Sequence, residues 1–217
     1  LGFALLGRHG VLALGLLGNA MLGSLVQFLP VAAGSPLPCA RCVPWLHGVF
    51  NVGLVALLAT LAWQVRALTW PAGGLLGTSL VMFAVLALVA VARGNGERVV
   101  RDGIGLALIA LVATTILGLV LLAARTGWRT PAPPDLVDLH AAIGGIGWVL
   151  GLLAAVGSVT LPMLQGTRAP PTAGVRAWQV ALLATLGLML AWQAGALPHA
   201  VVRMAAWPFA MFALAVF

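Results

Sequence analysis

Apolar runs long enough to cross a membrane fill most of this 217-residue sequence and constrain its fold more than any motif does. Hydrophobic residues make up 62% of the chain and charged residues 7%, whereas soluble globular domains carry roughly 25% charged residues. A helix of about 20 apolar residues spans the hydrocarbon core and satisfies its own backbone hydrogen bonds in lipid. The sequence therefore predicts a single-domain, all-α bundle of transmembrane helices.

Turns rich in glycine, proline and arginine divide the chain into about seven predicted spans. We expect them at about 10–29, 44–63, 72–92, 103–124, 138–162, 177–194 and 199–217. Pro30 and Pro162 are expected to end the first and fifth spans, and the charged segment 93–102 is expected to be a solvated loop. The chain starts with leucine and stops at Phe217 inside an apolar run, so we expect it to be part of a longer protein.

The formal charge of +7 comes from eleven arginines set against four acidic residues. The arginines form no contiguous basic cluster, so nucleic-acid binding is not expected. The partners we expect are the lipid bilayer and other membrane subunits. If the spans alternate in direction, the face that holds segment 93–102 carries more arginines than the opposite face. This bias weakly predicts that the segment is cytoplasmic.

The fifth span carries a histidine at the head of a glycine stripe. His140, Gly144, Gly147 and Gly151 recur at helical spacing and so share one face of the helix. A face without side-chain bulk suits the close approach of a flat ligand such as haem, with the imidazole as an axial iron ligand. The alternative is close helix packing, for which stripes of small residues are common in membranes.

Three of the four histidines open spans at the same membrane face. His9 and His140 each head a face of mostly small residues, and His199 begins the last predicted span. We therefore expect His9 and His140 to be the axial pair of one haem b, with His199 as the substitute partner. Arg8 or Arg203 would hold the propionates.

The only two cysteines, Cys39 and Cys42, have the C-x-x-C spacing. This spacing allows a disulfide, two free thiols or a metal site with His47, but not covalent haem attachment, because Val43 follows the second cysteine where a histidine would be required. The predicted orientation places the pair in the cytoplasm, so we expect free or metal-bound thiols. His47 is expected either to form a hydrogen bond near Asn51 or to join that metal site.

Two longer patterns carry a family resemblance. Leu139–Met163 contains LHxxxGxxGW followed by PM, and Gly23–Gly34 contains GxxxQxLPVxxG. These patterns resemble bacterial membrane proteins related to haem–copper oxidase subunit I and to the NnrS haem and copper proteins. The resemblance implies haem or copper ligands at His9, His47 and His140, electron transfer or handling of O2 or NO, and a place in the bacterial inner membrane.

Departures from that family pattern leave other functions open. The chain has no adjacent pair of histidines for a copper centre and no tyrosine, so the oxidase mechanism of dioxygen reduction is not implied. The alternative function is a cofactor-free accessory subunit of an energy-transducing membrane complex. A solute carrier is disfavoured, because the two halves of the chain show no matching pair of broken helices.

Overall fold

The structure is a computed structural model that describes residues 11–125, 134–193 and 195, and most of these residues are helical, with no strand among them. The α-helices in these ranges are α1 (Asn19–Ala32), α2 (Val43–Trp63), α3 (Thr69–Arg93), α4 (Arg98–Arg125), α5 (Pro134–Ala142), α6 (Gly151–Gln165) and α7 (Thr172–Gln193). One π-helical segment, Val11–Gly18, leads into α1, and another, Ile143–Leu150, joins α5 to α6. Short 3-10 helices, Ala40–Cys42 and Arg66–Leu68, precede α2 and α3.

Six helical stretches in the described part of the chain are long and apolar enough to cross a membrane. They are Leu14–Ala32, Ala40–Trp63, Arg66–Arg93, Arg98–Arg125, Asp135–Gln165 and Thr172–Gln193. The predicted all-α bundle of transmembrane helices is therefore confirmed. The seventh predicted span, 199–217, lies outside the described residues.

Two prolines do not end their helices as the sequence predicted. Both α1 and α6 continue beyond their prolines, Pro30 and Pro162. A proline removes only its own N–H donor, so the residues that follow can still reach carbonyls one turn back. In α1, the N–H of Ala33 donates to the carbonyl of Leu29 at 2.9 Å.

The charged segment 93–102 is only partly a loop, because α4 begins at Arg98. The guanidinium of Arg101 donates to the carbonyls of Gly96 at 3.1 Å and Val91 at 3.2 Å. These carbonyls lie near the end of α3 and in the turn that follows it, where intrahelical donors are lacking. The arginine therefore holds the turn closed, and the prediction that this span begins near residue 103 is wrong.

Helix α4 lies at the centre of the described bundle and packs against α3, the α5–α6 span and α7. Its close contact with α5–α6 runs along two antiparallel stripes of small residues. A methyl group added at Gly147 would lie 2.8 Å from Cβ of Ala110, and one added at Gly144 would lie 3.0 Å from Cγ2 of Thr114. Only glycine allows the two backbones to approach this closely.

We predict that Gly147→Ala lowers the melting temperature of the protein in detergent. Its new methyl group would meet Ala110 Cβ, which is fixed to a neighbouring helix, and such overpacking costs about 1–3 kcal/mol. The matched control is Gly145→Ala on the same π-helical segment, where an added Cβ meets nothing within 4 Å. It should melt at or above the wild-type temperature, because alanine favours a helix over glycine by about 1 kcal/mol. Equal melting temperatures for the two variants would contradict close packing at Gly147.

Candidate functional site

His140 lies near the start of the α5–α6 span and is fixed by a contact with α4. Its Nδ1 is 3.1 Å from the backbone carbonyl oxygen of Thr114. A carbonyl oxygen can only accept a hydrogen bond, so Nδ1 carries the proton and, in the neutral ring, Nε2 keeps a free lone pair. The ring packs over Gly118, where an added methyl group would lie 3.1 Å from Cε1 of the imidazole.

The glycine stripe below His140 is occupied by neighbouring helices. Gly144 and Gly147 face α4, and an added Cβ at Gly151 would lie 3.6 Å from Ala107 of α4 and 3.6 Å from Leu182 of α7. The stripe is thus a packing face, as the alternative interpretation proposed, and it offers no open groove for a flat ligand. Haem binding itself stays a prediction.

His47, at the start of α2, belongs to a polar network that bridges two spans. Its Nε2 donates to Oδ1 of Asn19 on α1 at 2.8 Å, because an amide oxygen can only accept. Asn51, one turn further along α2, donates from Nδ2 to the His47 carbonyl at 2.8 Å and to Asn19 Oδ1 at 3.2 Å. The prediction that His47 forms a hydrogen bond near Asn51 is confirmed. Asn51 Nδ2 also lies 3.1 Å from Nε2 of His47, but Nε2 carries its own proton and does not accept from it.

Every amide proton of this network has an acceptor. Asn19 donates from Nδ2 to the carbonyl of Gly15 at 2.8 Å and to Oδ1 of Asn51 at 3.1 Å. Unsatisfied polar groups are costly inside a membrane, so this pairing explains how two asparagines persist within apolar spans. With its Nε2 proton used on Asn19, the neutral ring of His47 keeps a lone pair on Nδ1.

A cavity of about 300 Å³, here called the His47 cavity, opens beside this network between α1, α2 and α3. Its walls are mostly apolar and include the rings of Phe50 and Phe83. Its polar lining residues include His47 and Gln27, which are both exposed, so the cavity opens at the outer surface of the bundle.

Cys39 and Cys42 form a disulfide with an S–S distance of 2.03 Å. The prediction of free or metal-bound thiols is therefore wrong, and neither sulfur can serve as a thiolate ligand beside His47. The error came from the orientation argument, which relied on a small arginine bias. Disulfides persist in oxidising compartments. The disulfide thus favours the orientation opposite to the predicted one. In that orientation, the end of the bundle that holds the cysteines and the turn 94–97 faces an oxidising compartment and not the cytoplasm.

The two described histidines lie at opposite ends of the bundle. His47 follows the connection after α1, whose end contacts the turn before α4 through Ala33 and Gly96, whereas His140 contacts the second half of α4 at Thr114. One iron cannot bind both. His9, His199, Arg8 and Arg203, the other predicted haem contacts, lie outside the described residues, so the structure does not test the pairing of His9 with His140.

Within 11–125, 134–193 and 195, no group of three or more His, Cys, Asp or Glu side chains is placed to hold a metal ion. The structure therefore brings no copper site together at His47. Asn19, which lies next to His47 across the helix interface, was not predicted from the sequence. A polar amide inside an otherwise apolar span was the available signal, because such a residue is expected to have a partner.

Comparison with known protein families, with curated proteins and with solved structures found no match to this chain. The resemblance to haem–copper oxidase subunit I and the NnrS proteins therefore stays a prediction.

We predict that Cys39 and Cys42 react with a membrane-permeant maleimide only after reduction. Intact cells would be labelled before and after treatment with a reductant. Trypsin cleaves after Arg41, between the two cysteines, so the peptides on either side of this cut, joined by the disulfide or separate, would be weighed. The expected mass without reduction is that of the unlabelled disulfide. Adding two maleimide groups without reductant would show free thiols and would restore the original prediction.

Proposed function

We propose that this chain is a haem b-binding protein of the bacterial inner membrane that acts in electron transfer or in the handling of a diatomic gas. The observation that supports the proposal is the state of His140. Its Nδ1–H is held on the Thr114 carbonyl, which orients the ring and leaves Nε2 as the available donor atom. Histidines that bind metals are commonly oriented by a hydrogen bond of this kind through the other ring nitrogen.

His140 would supply a nitrogen ligand to the iron of a haem, but the glycine stripe does not fit a flat macrocycle. Side chains of α4 and α7 already lie in van der Waals contact with the positions that the glycines leave open. The role of the glycines is therefore to bring α4 close enough for the Thr114 carbonyl to reach His140. The chemistry that haem would supply is one-electron transfer or the binding of a diatomic gas.

Gly118 positions the same histidine. A side chain there would push on the imidazole, since even a Cβ atom would lie 3.1 Å from Cε1. One edge of the His140 ring is thus fixed by the backbone carbonyl of Thr114 and by contact with the backbone at Gly118. A residue that binds a metal requires such a fixed orientation.

The second candidate is a cofactor-free accessory subunit of a membrane complex. The observation that favours it is the packing of the glycine stripe, which the structure explains without any ligand. In this case the exposed apolar surfaces of the spans, such as those of Trp45 and Trp63, would face lipid or neighbouring subunits.

The visible spectrum of the full chain, expressed with added haem precursor, separates the two candidates. We expect a Soret band, its loss in His140→Ala and its retention in the matched variant His47→Ala at the other end of the bundle. His140→Met, which replaces one donor by another, should change the band instead of removing it. Circular dichroism would establish that each variant keeps its helices. A wild-type protein without a Soret band, or a His140→Ala spectrum like that of the wild type, would reject haem binding at His140.

Carbon monoxide then distinguishes electron transfer from gas handling. A second histidine would fill the remaining axial position and leave the spectrum of the reduced protein unchanged by the gas. With His140 as the only protein ligand, the gas would bind and shift the Soret band. The first result supports an electron carrier and the second supports a gas-binding protein.

A further inference from the structure

The His47 cavity is separate from His140, because the two lie at opposite ends of the bundle. A ligand of this cavity would therefore bind whether or not the protein holds haem. The cavity lies within the membrane-spanning helices and opens at the surface of the bundle. A ligand could therefore reach it from the bilayer and leave a long apolar tail in lipid. Its volume, about 300 Å³, is at the small end of the range for ligand pockets, so it suits a single ring.

The hydrogen-bond network determines which polar group that ligand must present. Nε2 of His47 and all four amide protons of Asn19 and Asn51 are already engaged. The group left over is Nδ1 of His47, and in the neutral ring it can only accept. A ligand that binds there must donate an O–H or N–H. A carboxylate or a ketone, which can only accept, has no matching atom on His47, whereas a ligand with an O–H can donate to Nδ1 and also use the amide of Gln27, which lines the cavity as well.

The remaining walls favour an aromatic ring. Phe50 is fully buried and Phe83 nearly so, which makes both rings rigid surfaces for edge or face contacts with a flat ligand. Ser79, the third polar lining residue, returns its hydroxyl to the carbonyl of Leu76 at 3.0 Å. Its proton is therefore used and cannot be donated to the ligand, which leaves His47 and Gln27 as the polar side chains that can orient the ring.

We propose that the His47 cavity binds a lipid-soluble hydroquinone, with one phenolic O–H donating to Nδ1 of His47, the ring between the phenylalanine walls and the tail in the bilayer. Gly23 fixes the space for the ring. It lines the cavity, and an added Cβ there meets nothing within 4 Å, so a larger side chain would enter the cavity without disturbing the helices.

Calorimetric titration of the full chain in detergent micelles tests the proposal with three probes: a decyl-benzohydroquinone, its oxidised quinone and its dimethyl ether. Empty micelles give the background from partitioning. Saturable binding of one hydroquinone per chain is expected. The quinone and the ether lack the donor and should bind about three- to tenfold more weakly, which is the effect of one hydrogen bond. Equal affinities for the three probes would overturn the proposal.

Two pairs of variants locate the site. The His47→Leu variant should bind the hydroquinone no more tightly than it binds the dimethyl ether. In Gly23→Leu, the added side chain should abolish binding, whereas Gly48→Leu, at a glycine that is equally open but does not line the cavity, should bind like the wild type. Melting temperatures would show that each variant is folded. Wild-type affinity in Gly23→Leu, or an aliphatic alcohol that competes as well as the hydroquinone, would show that the cavity is only a lipid groove.

Discussion

Close approach of α4 to the α5–α6 span is the constraint on which the rest of the bundle depends. In lipid, apolar side chains gain little by leaving one apolar environment for another, so helices associate through tight packing and through hydrogen bonds. Glycines on one helix and small side chains on the other let the backbones come close enough for both effects. The same approach brings the carbonyl of Thr114 within 3.1 Å of the His140 ring. The packing of these helices and the orientation of His140, the candidate iron ligand, therefore have one cause.

Several polar residues inside the described spans form hydrogen bonds that join separate helices. Gln179 on α7 is buried and donates to the carbonyl of Val99 on α4 at 2.7 Å. Asn19 and His47 join α1 to α2 in the same way. An unpaired polar group in hydrocarbon is costly, so each polar side chain must face its partner. Each such pair therefore helps to determine which helices are neighbours. The atoms that remain unpaired, such as Nδ1 of the His47 ring, are then the ones open to a ligand.

The limits of sequence reasoning are clearest at the glycine stripe and at the cysteines. Periodicity placed His140 and the glycines on one face, and the structure has them there. Periodicity could not say what covers that face, because a haem and a neighbouring helix both require the absence of side chains. Likewise, the C-x-x-C spacing allowed a disulfide, free thiols or a metal site. The choice among these three depended on an orientation that was inferred from a few arginines. The Cα atoms of the pair lie 5.3 Å apart and the sulfurs are bonded.

The sequence by itself determined the class of fold and the approximate spans, because hydropathy over about 20 residues is a local property that the bilayer thickness converts directly into helices. It also determined that His47 and Asn51 share a face, since four residues make about one helical turn. Only the tertiary structure decided that α4 covers the glycine stripe, that Asn19 completes the network of His47 and that a cavity opens beside them. These features join residues that are far apart in the chain, such as Asn19 and Asn51, which are 32 positions apart and lie on different spans. Such contacts depend on which helices pack together, and no local pattern contains that information.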